Sequence, residues 1–107
     1  MNESRKRWRE TLLPWPEAAL SAVRAAAPAA LGEAAACFWL FRALHGVDAP
    51  EAALLGDYCF GRFSAHLAAL DSVAWNDAFA AYLAVDALER RGLEAYLAFL
   101  REGAAWS

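Results

Sequence analysis

The chain has 107 residues, a formal net charge of −3 and 60% hydrophobic residues. That length allows one domain, and the composition excludes a disordered tail or a solvating linker. There are 28 Ala, four Val, one Thr and no Ile, so the best helix former is abundant while sheet-favouring residues are nearly missing, which excludes an all-β fold and predicts an all-α bundle of five to six helices.

Charge divides the chain. Residues 1–9 hold four basic groups and one acid, leaving six basic and twelve acidic groups in residues 10–107. An acidic body repels a phosphate backbone, so nucleic acid is not an expected partner. Charge-free stretches reach eight residues, as in Ala34 to Phe41, far short of the roughly 20 that a membrane-spanning helix needs. Arg5, Lys6, Arg7 and Arg9 lead into Glu10, Pro14 and Pro16 rather than into an apolar run, so a secretory signal is not expected and the cytoplasm is the default compartment.

Residues 1–15 read as a basic, Trp-containing arm, and residues 16–107 as a single helical domain. In the arm, Ser4 offers an N-cap and Trp8 stands four residues before Leu12, which predicts a short amphipathic helix ended by Pro14 and Pro16. Arg5, Lys6, Arg7, Trp8 and Arg9 suit a peripheral membrane surface or a partner; alternatively Trp8, Leu12 and Trp15 cover the domain's own core.

A second helix is predicted from Pro16 and Glu17, with Leu20, Val23 and Ala27 on its buried stripe and a break at Pro28. A third runs from about Ala30 to His45 and stops at Gly46. Leu31, Phe38, Trp39, Leu40, Phe41 and Leu44 are too broad a set for one stripe, so this helix is either central or buried by another chain, and a second copy could dock on the Phe38, Trp39 and Phe41 cluster.

Asp48, Pro50 and Glu51 read as a capping box opening a fourth helix that extends to about Leu70. Leu55, Cys59, Phe63, His66 and Leu70 recur at helical intervals to make one face, with Tyr58 and Leu67 beside it. Gly56 and Gly61 fall inside this helix, where each costs about 1 kcal/mol relative to Ala; the expectation is that another surface, protein or lipid-like, comes close at both. Ser72 or Asp71 caps a fifth helix, Val73 to about Arg91, burying Trp75, Phe79, Tyr82, Leu83 and Val85 in some proportion. A sixth, Leu93 to Arg101, buries Tyr96, Leu97 and Leu100 and closes at Gly103.

Chemistry is sparse. Neither His45 nor His66 has an acid three or four residues before it, so a bundle-type metal site is not expected. Cys37 and Cys59 read as buried small apolar side chains rather than a bridge. No nucleophile elbow or phosphate loop occurs. The acid pairs Asp48 with Glu51 and Asp86 with Glu89 read as a cap and a solvated face, and independent catalysis is not expected.

One tract narrows the reading. Leu54-Leu55-Gly56-Asp57-Tyr58-Cys59-Phe60-Gly61-Arg62-Phe63 resembles the Gly-Asp-Tyr/Phe helix of trans-isoprenyl diphosphate synthases, and is most similar to the small non-catalytic subunit of two-component heptaprenyl or hexaprenyl diphosphate synthases. Phe41 to Gly46 weakly resembles the helix end before that family's first Asp-rich region. Both Asp-Asp-x-x-Asp metal motifs are missing. The resemblance therefore implies part of the isoprenoid synthase fold and an accessory subunit that joins a catalytic chain and helps set isoprenoid length. It implies no cofactor on this chain, with Mg2+ held by the partner. It also implies Asp57, Tyr58 and Gly61 as packing or interface residues and Phe60 and Phe63 as walls of an apolar channel. Two other readings stand beside it: a homo-oligomeric assembly module, and a ligand-binding bundle with its cavity along Gly56, Cys59, Gly61 and Phe63.

Overall fold

The computed structural model describes the backbone of residues 14–106 and the side chains of residues 17–105, Arg90 excepted in both. The arm residues Arg5, Lys6, Arg7, Trp8 and Arg9 lie outside the described residues. Among those described are five α-helices and one 3-10 turn, with no strand: α1 Pro14–Ala26, the 3-10 turn Ala29–Leu31, α2 Gly32–His45, α3 Pro50–Leu70, α4 Val73–Glu89 and α5 Leu93–Trp106. None of these helices is long and apolar enough to cross a membrane.

Helix ends follow from single residues. Pro14 and Pro16 both fall in the first turn of α1, where no intrahelical partner awaits a backbone N–H, so the helix starts two residues earlier than expected. Pro28, with φ −55° and ψ 147°, interrupts the chain between α1 and the 3-10 turn as its missing donor predicts. The capping box before α3 does not form: Ala49 occupies the N-cap in an extended conformation without a side-chain bond, and Pro50 supplies the preset first turn. Asp71 ends α3 in the left-handed region at φ 52°, which a short polar side chain tolerates. Ser72 then accepts the Trp75 N–H through its Oγ at 3.1 Å, capping α4 as expected. Helix α5 runs through Gly103 to Trp106 rather than closing at it; Gly103 lies beneath the Trp75 ring, where a Cβ would not fit.

Two antiparallel helix pairs, with α1 packed against α2 and α5, form the bundle; each pair is joined by three rungs in which residue numbers rise on one helix as they fall on the other. Between α2 and α3 the rungs are Phe38 with Phe63 at 5.2 Å, Phe41 with Phe60 at 4.8 Å, and the His45 ring over Gly56. Between α4 and α5 they are Tyr82 with Tyr96 at 5.5 Å, Phe79 with Phe99 at 5.1 Å, and the Trp75 ring over Gly103. Each pair thus ends in a ring seated on a glycine. The backbones of α2 and α3 approach closely, whereas large rings hold α4 and α5 further apart.

Phe38 joins the two pairs. Fully buried, it lies within 6.0 Å of the rings of Phe41, Phe63, Phe79, Tyr82 and Tyr96. Trp39 stacks on Tyr96 at 5.4 Å, and the Tyr96 hydroxyl donates to the Ala35 carbonyl at 2.7 Å. The broad apolar set on α2 therefore marks a central helix. Phe38 and Trp39 are core residues of this chain, which corrects the expectation of a dimer docking on them: a second copy would have to open the bundle to reach either ring.

Candidate functional site

Helix α3 carries the tract singled out in the sequence, and its faces have separate surroundings. Ala52, Gly56, Phe63 and Leu67 point inward. Leu54, Tyr58, Gly61 and Ala65, spaced by four, three and four residues, share the opposite, outward face. Leu54 is 70% exposed and Tyr58 63%, so Tyr58 does not border the buried face as expected. A Cβ added at Gly61 would meet nothing within 4 Å, and the position is exposed. Of the two glycines expected under another surface, Gly61 is open and Gly56 is covered by this chain's own imidazole.

The cover at Gly56 explains the Gly-Asp pair. A Cβ there would stand 2.1 Å from His45 Cδ2, so only glycine lets the ring lie flat at that point. Asp57 Oδ1 then meets His45 Nε2 at 3.0 Å, and Phe41 presses on the same imidazole edge-on, with centroids 4.8 Å apart. Gly56, Asp57, His45 and Phe41 form one intramolecular lock between the end of α2 and the middle of α3.

Beside this lock an open trough lies between α3 and α4. One hollow of about 370 Å³ is lined by Phe41, Asp57, Phe60 and Leu83. A second of about 250 Å³ shares Phe41 and Leu83 and adds Arg42, His45, Asp86 and Ala87. Asp86 does not stand on a solvated face with Glu89, as the sequence reading had it. It is 6% exposed, its Oδ2 accepts the Arg42 Nε–H at 2.5 Å and its Oδ1 accepts the Arg91 backbone N–H at 2.8 Å. Arg42 in turn covers the Trp39 ring and Arg91 the Tyr82 ring. The carboxylate thereby ties α4 to α2 and holds the turn before α5. The signal was present: Asp86 continues the stripe Trp75, Phe79, Tyr82 at intervals of four, three and four residues. Leu83, expected among the buried residues of α4, is half-buried and walls the trough.

The cysteines are free and half-buried. Burial raises the Cys37 thiol pKa, with Glu33 adding to it; burial raises that of Cys59, with Cys37 adding to it. In the α2–α3 register Cys37 is level with Ser64, five residues from Cys59, an axial offset of about 7.5 Å at the helical rise. That exceeds the roughly 7 Å over which Cα atoms can be bridged. His66 is half-buried and accepts from Arg62 Nη2 at 3.3 Å. Among the described residues no group of three His, Cys, Asp or Glu side chains is placed to hold a metal ion.

The sequence-selected residues therefore do not form one site. Phe38, Trp39 and Phe63 are core, and Gly56 with Asp57 belongs to the lock. Phe41 and Phe60 line the trough with Asp57, while Tyr58 and Gly61 face outward. A cavity along Gly56, Cys59, Gly61 and Phe63 does not assemble, because Gly61 opens outward while Phe63 is buried. Compared with family models, curated proteins and solved structures, the chain has no match.

Proposed function

We propose that this chain is a non-catalytic helical subunit that assembles with another helical protein through the outward face of α3. The observation carrying this reading is the uncharged line Leu54, Tyr58, Gly61 and Ala65, with two large apolar side chains exposed and a bare glycine between them. Exposed leucine and tyrosine on one helix face favour burial by a partner. Gly61 gives up about 1 kcal/mol of helix preference without any contact inside the chain, and a partner backbone in close approach explains it.

The partner that fits the resemblance is the catalytic chain of a trans-polyprenyl diphosphate synthase, which would hold the Mg2+ and perform the transfer, this chain helping to set product length. Tyr58 and Gly61, carried over as interface residues, both stand on the outward face. The test is co-expression with a catalytic chain bearing both Asp-rich motifs, read by co-purification and by product length. The expected result is a stable complex whose product length shifts, with Tyr58→Ala and Gly61→Leu each weakening assembly at least tenfold. Sedimentation of this chain alone separates the homo-oligomeric alternative. A monomer both alone and with every such catalytic chain, with product length unchanged, overturns the proposal.

A further inference from the structure

We infer that the trough between α3 and α4 is a binding site for a small organic cation with an apolar body, of the alkyl- or arylmethylammonium kind. This inference is independent of what docks on the outward face of α3. It rests on shape, lining and sign of charge.

The two hollows share Phe41 and Leu83, and the larger by itself falls in the range of roughly 300–1,000 Å³ occupied by small-molecule sites. Phe41 and Phe60, both half-buried, line it with their rings 4.8 Å apart and tilted by 55°. Leu83 faces them from α4, and the lining of the larger hollow is predominantly apolar. Aromatic rings attract a cation through their quadrupole, more strongly once water is displaced.

The charges around the trough set the sign. Asp57 lines the larger hollow, is exposed, and has the His45 imidazole beside it. The guanidinium of Arg42, in the smaller hollow, is matched by the buried Asp86 carboxylate. Arg91 meets Glu89 and the Tyr82 ring, and Arg62 bonds His66. Of the Asp, Glu, Lys and Arg side chains lining the two hollows, Arg42 and Asp86 match each other, which leaves the Asp57 carboxylate in excess. An anion entering the trough meets the Asp57 carboxylate with no free guanidinium to offset it; an ammonium meets that carboxylate at the rim and aromatic rings below it. The apolar body is required because Phe41, Phe60 and Leu83 offer no polar group to replace the water of a hydrated metal ion.

The experiment is titration of the full chain with benzyltrimethylammonium chloride, followed by calorimetry and by saturation transfer to the aromatic protons, with phenylmethanesulfonate as the anionic counterpart of similar size. The expected result is saturable binding of the cation, with transfer to Phe41 and Phe60, weakened at least fivefold by Asp57→Asn and unaffected by Asp77→Asn on the outward face of α4. The sulfonate should not compete, and added salt should weaken the cation. Equal binding of the two ions to the unmodified chain, absence of saturable binding, or an unchanged affinity in Asp57→Asn overturns the inference. The comparison of the two ions needs no variant, so it stands even where a substitution disturbs the fold.

Discussion

Three glycines lie in helices beyond the first turn, and replacing each by alanine should give three different outcomes. In open helix the substitution gains about 1 kcal/mol, because glycine loses more backbone freedom on folding. At Gly61 a Cβ meets nothing within 4 Å, so Gly61→Ala should stabilise the isolated chain by nearly that amount, a rise in melting temperature of roughly 4–8 °C. At Gly103 the Cβ would stand 2.1 Å from Trp75 Cη2, 2.7 Å from Cζ3 and 2.8 Å from Cζ2. Trp75 is 3% exposed and has Phe79 and Phe99 rings beside it, so moving the indole aside costs that packing. Overpacking of this kind costs about 1–3 kcal/mol, and a position in the last turn gains less from alanine, so Gly103→Ala should destabilise. Gly56→Ala stands between. Its Cβ displaces an imidazole that is part-exposed at the last residue of α2 and can swing outward, at the expense of a surface pair worth about 0–1 kcal/mol. The two effects should nearly cancel. Urea denaturation followed by far-ultraviolet circular dichroism, with the slopes compared, gives the order. A destabilised Gly61→Ala chain or a stabilised Gly103→Ala chain would refute these assignments. The proposed function adds a second readout: Gly61→Ala should stabilise the lone chain while weakening assembly.

Asp86→Ala should destabilise by about 3–5 kcal/mol, the range for leaving one partner of a buried ion pair alone, since Arg42 and the Arg91 N–H both lose their acceptor; a loss below 1 kcal/mol in the same denaturation assay would place the carboxylate on the surface. Stability should also fall above about pH 10, the ordinary tyrosine range. Burial holds the Tyr96 hydroxyl pKa well above that value, and burial followed by the Asp86 charge raises that of Tyr82. The unfolded chain then releases protons that the folded chain keeps, so each tyrosine removes up to about 1.4 kcal/mol per pH unit until its folded-state pKa is reached. Melting curves taken across the alkaline range check this, and Tyr96→Phe should flatten the decline.

The helix breaks at Pro28 and Gly46 and the Ser72 cap were legible in the sequence, because each acts through its own backbone or the next turn. The buried sets Trp75, Phe79, Tyr82 and Tyr96, Leu97, Leu100 were legible from period alone. The candidate site was less so. Gly56 and Gly61 look alike in the sequence, both small residues in one helix, yet one lies under His45 and the other opens outward. Asp86 shared a stripe with three aromatic residues, but its charge suggested solvent until Arg42 was seen to reach it from α2.

Alanine abundance, the near absence of β-branched residues and the apolar period determined by themselves that this chain is an all-α bundle, since helix preference and stripe formation are properties of neighbouring residues. Which ring seats on which glycine, which acid is buried, and which face of α3 is left without cover depended on contacts between residues far apart in the chain. Those distances are set only when the two helix pairs close around Phe38.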